Sequence, residues 1–277
     1  MTLPLGLAGM PERLVTATPS RLAAFARCPR RYRFTYLDRP RPVRAPAAAH
    51  SSVGVSVHAA LSAWWSEPLL RRTPQAAVRL LTLGWLTQGF RDAGQSEEAR
   101  GRAAGWVERY VATLDPAQEP RGVERVVAAR TGVLALSGRI DRLDEREGEL
   151  VVVDYKTGRT PCGTDDARGS QALALYAVAA AATFRLPCTR VELHHLPSGG
   201  VVAWEHASGG LERHVARADA VGVDIRRATA ALAAGGDPDA LFPVAAEVSC
   251  SWCDYVRTCP AGRAAAPARE PWAGAAA

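Results

Sequence analysis

The sequence predicts an α/β protein with a mixed central sheet flanked by helices, and three observations carry that expectation. Apolar residues recur at helical spacing up to about residue 114, and from residue 123 the period becomes two. A further helix and strand then follow, giving the order helix, three strands, helix, strand. The run Leu150-Val151-Val152-Val153 is apolar on both side-chain parities, as a strand covered on both faces must be. With 277 residues, 48% of them hydrophobic and 22% charged, the chain can bury a full core.

Taken in order, residues 1–17 are expected to be a loose arm. Thr18-Pro19-Ser20 starts a helix, with Thr18 as N-cap and Pro19 at the first helical position. That helix runs toward Cys28-Pro29, where proline disfavours continuation. Residues 40–50, with Pro40, Pro42, Pro46 and an alanine run, suggest a linker or mobile loop. Helical patterns at 54–66, 75–92 and 97–114 place Trp64, Trp85 and Trp106 in a core. Strands are expected at 123–130, 133–143 and 150–155, then a helix at 166–184, strands at 189–196 and 201–205, and a long helix at 209–234. A cysteine-bearing segment spans 244–263, and 264–277 is expected to be a disordered tail. The reading is one domain over 18–263, with its core at about 54–205.

No apolar run is long enough to cross a bilayer, and the first residues lack a basic region followed by an apolar stretch, so a cytoplasmic location is expected and no membrane partner. A net charge of +6 favours a polyanionic partner. Arg27, Arg30, Arg31 and Arg33 interleave with Tyr32, Phe34 and Tyr36, a mixture suited to phosphate contacts plus base stacking. A solvated helix end whose aromatics are core residues fits the same pattern.

The chemistry concentrates around one lysine. Of 34 basic residues only Lys156 is not arginine, so this position requires something a broad, planar guanidinium does not supply. It lies in Asp154-Tyr155-Lys156-Thr157-Gly158, and alternation puts Asp154 and Lys156 on one face. If Glu147-Gly148 form a two-residue hairpin loop, Asp141 falls directly opposite Asp154. Two opposed carboxylates beside an apolar strand repel and are costly to bury without a cation. Mg²⁺ or Mn²⁺, with oxygen ligands, resolves both costs. A structural Asp–Lys or Asp–Arg pair on a solvent-facing edge explains two of these residues but not three.

Gly138-Arg139-Ile140-Asp141 followed by Asp154-Tyr155-Lys156-Thr157-Gly158 resembles the active-site signature of RecB-type PD-(D/E)XK nucleases. The resemblance extends over most of 18–263 and implies a restriction-endonuclease-like core. In it Asp141 and Asp154 would hold the metal and Lys156 would act on the attacking water and the phosphate. Gly54-Val55-Ser56-Val57-His58 is similar to the upstream Gly-x-x-x-His motif of RecB and AddB nucleases, which makes His58 a further ligand; a satisfied core histidine is the plainer alternative. Glu124, on the first strand where relatives often carry an acid, is either a helper or a surface residue. Relatives place a Gln four residues before a Tyr on the next helix. Here Gln171 stands five before Tyr176, which rotates it about 140° from Tyr176 on an ideal helix. Tyr176 is thus a site candidate, and Gln171 one only if the helix starts irregularly.

Cys250, Cys253 and Cys259 have C-x₂-C-x₅-C spacing, and Cys28, also followed by Pro, is the best fourth ligand. Four thiolates suit structural Zn²⁺ or an iron–sulfur cluster equally. The resemblance to AddB and to CRISPR-associated RecB-like exonucleases implies a [4Fe–4S] staple joining the chain ends. Cys162 and Cys188 lack partners at ligand spacing. No Walker motif occurs, so any helicase would be a separate subunit. The expected function is a Mg²⁺/Mn²⁺-dependent exonuclease on single-stranded DNA or DNA ends in repair or recombination. The alternative is a DNA-binding subunit of nuclease fold that has lost catalysis.

Overall fold

The computed structural model describes residues 13–274. The elements, in chain order, are β1 (Val15–Ala17), α1 (Pro19–Arg27), α2 (Pro29–Tyr36), α3 (Ala49–Ser66), α4 (Pro74–Leu83), α5 (Ala93–Val111), β2 (Gly122–Arg130), β3 (Leu134–Arg146) and β4 (Glu149–Lys156). They continue with α6 (Thr164–Gly169), α7 (Gln171–Phe184), β5 (Arg190–His195), β6 (Gly200–Glu205), α8 (Ser208–Ala233), α9 (Pro238–Leu241) and α10 (Pro260–Ala265).

Among the described residues the strands form one six-stranded mixed sheet, ordered β1-β3-β4-β5-β6 with β2 on the other edge of β3. The hairpin β3–β4 turns on Glu147-Gly148, with φ of 53° and 84°, the left-handed pair that a two-residue turn of matching twist requires. Its register sets Arg142 opposite Val153, which is the register the sequence predicts, but pairing ends there, one residue short of an Asp141–Asp154 pair. β4 then runs parallel to β5, the connection passing through α6 and α7.

Apolar cores cover both faces of the sheet. On one face Leu136, Ile140, Val152 and Val191 meet Leu173 and Leu175 of α7 and Ala218 and Ile225 of α8. On the other, Val151, Val153 and Tyr155 meet Val57, Leu61 and Trp64 of α3 and Ala99, Ala103 and Val107 of α5. The consecutive valines of β4 therefore serve both cores, which accounts for their unbroken apolarity.

Five expectations change. The helix expected at 75–92 ends at Leu83, with Gly84 at its C-cap. Val15–Ala17 is a strand, not part of a loose arm, because it pairs in parallel with Leu134–Leu136; residues 1–12 lie outside the described residues. Residues 264–277 are not all tail. Helix α10 extends to Ala265, and Trp272 and Ala273 offer carbonyls to Gln95 and Arg159; 275–277 lie outside the described residues. The segment 40–48 is pinned rather than a free linker: Arg44 pairs with Asp254 at 2.7 Å and Thr258 donates to the Val43 carbonyl. The helix expected at 166–184 breaks at Ser170, whose hydroxyl caps α7 by accepting from Leu173 N–H.

Candidate active site

β3 carries β2 along one edge. Its other edge holds β1 at Leu134–Leu136 and β4 from Arg142 onward, leaving Ser137–Asp141 without a ladder partner there. In this notch the Asp141 carboxylate replaces the missing strand, accepting the Tyr155 N–H at 2.9 Å through Oδ2. Its Oδ1 faces His58 Nδ1 at 3.3 Å, and His58 Nε2 lies 3.2 Å from the Tyr155 carbonyl. His58 reaches this point because Gly54, one turn earlier, lets α3 approach the loop after β4. A Cβ at Gly54 would lie 3.3 Å from Thr157 Oγ1.

Glu124 completes the group. It has φ of 47° inside β2, between the regular pairs Val123–Arg142 and Arg125–Ile140. A non-glycine residue there carries backbone strain, a recurrent mark of functional positions. His58, Glu124 and Asp141 each offer a donor atom, and these atoms lie within 4.8 Å of one another. Of the acids expected to bind metal, Asp141 belongs to this set, while Asp154 sits beside it, paired through Oδ2 with Lys156 Nζ at 2.5 Å. A cleft of ≈ 720 Å³ opens over the trio, lined by the α3 face from Gly54 to Ala63 and by Glu124, Arg139 and Asp141.

The electrostatics fit crowded acids. Burial raises the Asp154 pKa, Lys156 opposes and Asp141 adds, and the carboxyl ends above its ordinary range. Burial works against the Lys156 ammonium, but Asp154 and Asp141 outweigh it and hold the lysine above its usual value. His58 likewise loses by burial and gains more from its bond to Asp141, so its pKa is raised. Tyr176 lies on Gly138, where a Cβ would fall 2.4 Å from Tyr176 Cε1. Its hydroxyl pKa is raised first by burial, then by the charges of Asp154 and Asp141, which places it at the acids' rim.

Gln171 is elsewhere. Because α7 begins at Gln171, its side chain turns to α8, donating to the His214 carbonyl at 2.6 Å and accepting from His214 Nδ1 at 2.9 Å. The basic segment is also committed internally. Arg30 and Arg33 pair with Asp239, Arg31 with Asp254, and Arg33 also with Asp38. Tyr32 and Phe34 are buried, so they are core residues and offer no stacking platform. Arg27 lines the cysteine cavity.

That cavity, ≈ 190 Å³, is lined by Cys28, Cys250, Cys253 and Cys259 together. Cys28 stands at the N-cap position of α2 without a side-chain cap bond, whereas Cys259 caps α10, its Sγ accepting from Gly262 N–H at 3.4 Å. Cys250 Sγ accepts from Glu247 N–H at 3.5 Å. A Cβ at Gly262 would stand 3.5 Å from Cys259 Sγ, an ordinary contact distance. Cys188 is buried apart from these, its thiol pushed up to about 12 by burial.

Sequence reasoning missed a closed ring of polar groups beneath β3–β5. Glu192 accepts from His194 and Arg146, Arg146 and Arg142 share Asp144, and Arg142 and His194 both bond the Tyr110 hydroxyl. Arg142 follows Asp141, and Tyr110 stacks edge-on to Tyr155, so the ring supports the backbone that holds the notch. The signal was the alternation Arg142, Asp144, Arg146 on a strand half buried by its pattern.

A mixed sheet that brings two acids, a lysine and a histidine to a break in strand pairing has the donor groups to hold a divalent cation beside a phosphate. The family model for the PD-(D/E)XK nuclease superfamily matches residues 16–260, and the chain belongs to that superfamily. No curated protein matches the chain. No helix among the described residues is long and apolar enough to cross a membrane.

Proposed function

We propose that the protein is a Mg²⁺- or Mn²⁺-dependent deoxyribonuclease of RecB-like type, acting as an exonuclease on single strands or DNA ends in repair or recombination. The observation that carries this reading is the convergence of His58, Glu124 and Asp141 beside the Asp154–Lys156 pair. Their donor set, one imidazole and carboxylate oxygens, suits a hard divalent cation. His58, Glu124 and Asp141 would hold it, with Asp154 completing the shell. When bound, the ion supplies Lewis acidity toward a phosphoryl oxygen. Lys156, kept protonated by Asp154 and Asp141, orients the attacking water and offsets charge on the phosphate rather than acting as a base. Tyr176 borders the same acids.

The four cysteines line one cavity, and the resemblance to AddB-type nucleases favours a [4Fe–4S] cluster there, with structural Zn²⁺ as the alternative that four thiolates suit equally. The cluster's role is structural, joining α2 to the C-terminal segment. With no ATPase motif in the chain, unwinding falls to a separate helicase subunit.

The test is cleavage of end-labelled single- and double-stranded DNA by anaerobically purified protein with Mg²⁺ or Mn²⁺, against EDTA and Lys156→Ala. Expected are metal-dependent products laddering from an end, lost in the variant, and about four irons per chain from the cluster chemistry. Folded, metal-loaded protein that cleaves neither substrate would favour the second reading, a DNA-binding subunit, which the withdrawal of Gln171 to His214 supports.

A further inference from the structure

We infer that Arg139 is an exchangeable partner of the site: it neutralises Glu124 while no metal is bound, and when metal takes Glu124 its guanidinium turns to a phosphate of the nucleic-acid strand in the cleft. The inference rests on the nuclease reading and adds a substrate-binding residue to it. Arg139 is the one arginine or lysine among the described residues lining the cleft over His58, Glu124 and Asp141. It lies on β3 two residues before Asp141, hence on the same side of the strand at about 6.6 Å along it. Ile140 between them points into the opposite core.

Its charge is loosely held. Among the described residues its ion-pair partner is Glu124 alone, at 3.6 Å between Nη1 and Oε2, a long contact with no hydrogen bond. The Arg139 side chain is 66% exposed, whereas that of Glu124 is 33% exposed. Arg142 and Arg146, further along β3, are locked to Asp144. Glu124 is a ligand candidate in its own right, aimed at His58 and Asp141 by a strained backbone. A divalent ion outcompetes a loose guanidinium for that carboxylate, and an arginine so released, over a cleft that admits a strand, is a bidentate phosphate donor. Metal and substrate then support each other through one side chain.

The substitution Arg139→Gln keeps a polar stem and removes the charge at an exposed position. Two opposite changes are expected. Mn²⁺ binding, measured by titration calorimetry without DNA, becomes about two- to threefold tighter because Glu124 loses its competitor. Binding of a fluorescent single-stranded oligonucleotide in Ca²⁺, measured by anisotropy, weakens about tenfold, and the slope of log K against log salt shrinks by about 0.7, one phosphate contact on a single strand. Arg139→Lys keeps the slope. Unchanged DNA affinity and slope in Arg139→Gln would overturn the phosphate role, and weaker or equal Mn²⁺ binding would overturn the exchange. Wild-type protein that binds neither Mn²⁺ nor DNA would instead sink the nuclease reading beneath it.

Discussion

Neutralising Asp154 separates a functional site from a structural ion pair, because the two assign opposite signs to its stability. The Asp154 carboxyl is partly buried beside Asp141, and its pKa lies above the ordinary acid range despite Lys156 at 2.5 Å. A carboxyl with a raised folded pKa binds its proton more tightly folded than unfolded. Its ionised form therefore costs stability, and the cost grows as pH rises from the ordinary acid range through the folded pKa. Asp154→Asn, neutral and of the same shape, is therefore expected to be at least as stable as wild type in EDTA at about pH 7.5. Lys156 is 44% exposed on its side chain and returns to solvent at little cost. With Mn²⁺ at about a hundred times its Kd, wild type gains about 2.7 kcal/mol that the variant lacks, and the order reverses. Urea unfolding followed by circular dichroism, with and without Mn²⁺, reads both. If the pair were structural, removing one partner would destabilise the protein in EDTA and Mn²⁺ would change nothing. That pattern would refute the reasoning.

Two further substitutions probe the support of the site. Glu192 is buried, and although burial raises its pKa, bonds from His194, Arg146 and Arg190 outweigh this and hold it well below the glutamate range. Glu192→Gln is expected to cost about 3–5 kcal/mol at pH 7. Because a depressed pKa stabilises above the unfolded value of about 4.3, the gap to wild type should narrow by about 1.4 kcal/mol per pH unit below it; a gap constant from pH 5 to pH 3 would contradict the ring. Gly138→Ala puts a methyl 2.4 Å from Tyr176 Cε1 and should cost about 1–3 kcal/mol in urea unfolding. Tyr176→Ala on that background should recover part of the loss, and strict additivity would show that the two do not touch.

The sheet and the acid pair were legible because they depend on local rules. Alternation put Asp154 and Lys156 together, and Glu147-Gly148 set the register that pairs Arg142 with Val153, the residues next to Asp141 and Asp154. What stayed hidden depends on contacts distant in sequence. The four-cysteine cavity drew on motif spacing, but nothing local tells that Arg30, Arg31 and Arg33 meet Asp239 and Asp254 rather than nucleic acid. Arg30 and Arg33 join α2 to α9, and Arg31 joins it to the cysteine segment. β1 was missed because three residues cannot show a period. The Gln171 mismatch, visible as one residue of spacing, had its explanation in Ser170: the cap restarts the helix and hands Gln171 to α8.

Glu124 shows most clearly how chemistry departs from propensity. Its neighbours Val123 and Arg125 keep a regular antiparallel register with Arg142 and Ile140, so a relaxed β2 would place Glu124 opposite Asp141 as an ordinary cross-strand pair. Like charges so placed destabilise a sheet, and a left-handed φ at a glutamate destabilises it again. On the opposite edge of β3 the ladder stops as well, although Tyr155 N–H is available for a strand and takes the Asp141 carboxylate instead. Each departure gives up backbone pairing or relaxed geometry at the same point, and each releases or aims a side chain into the same cleft. A fold selected for stability alone would close that notch with two ladder bonds and a glycine at 124. Its persistence, beside the chain's sole lysine, is what a site that binds a cation and a phosphate requires.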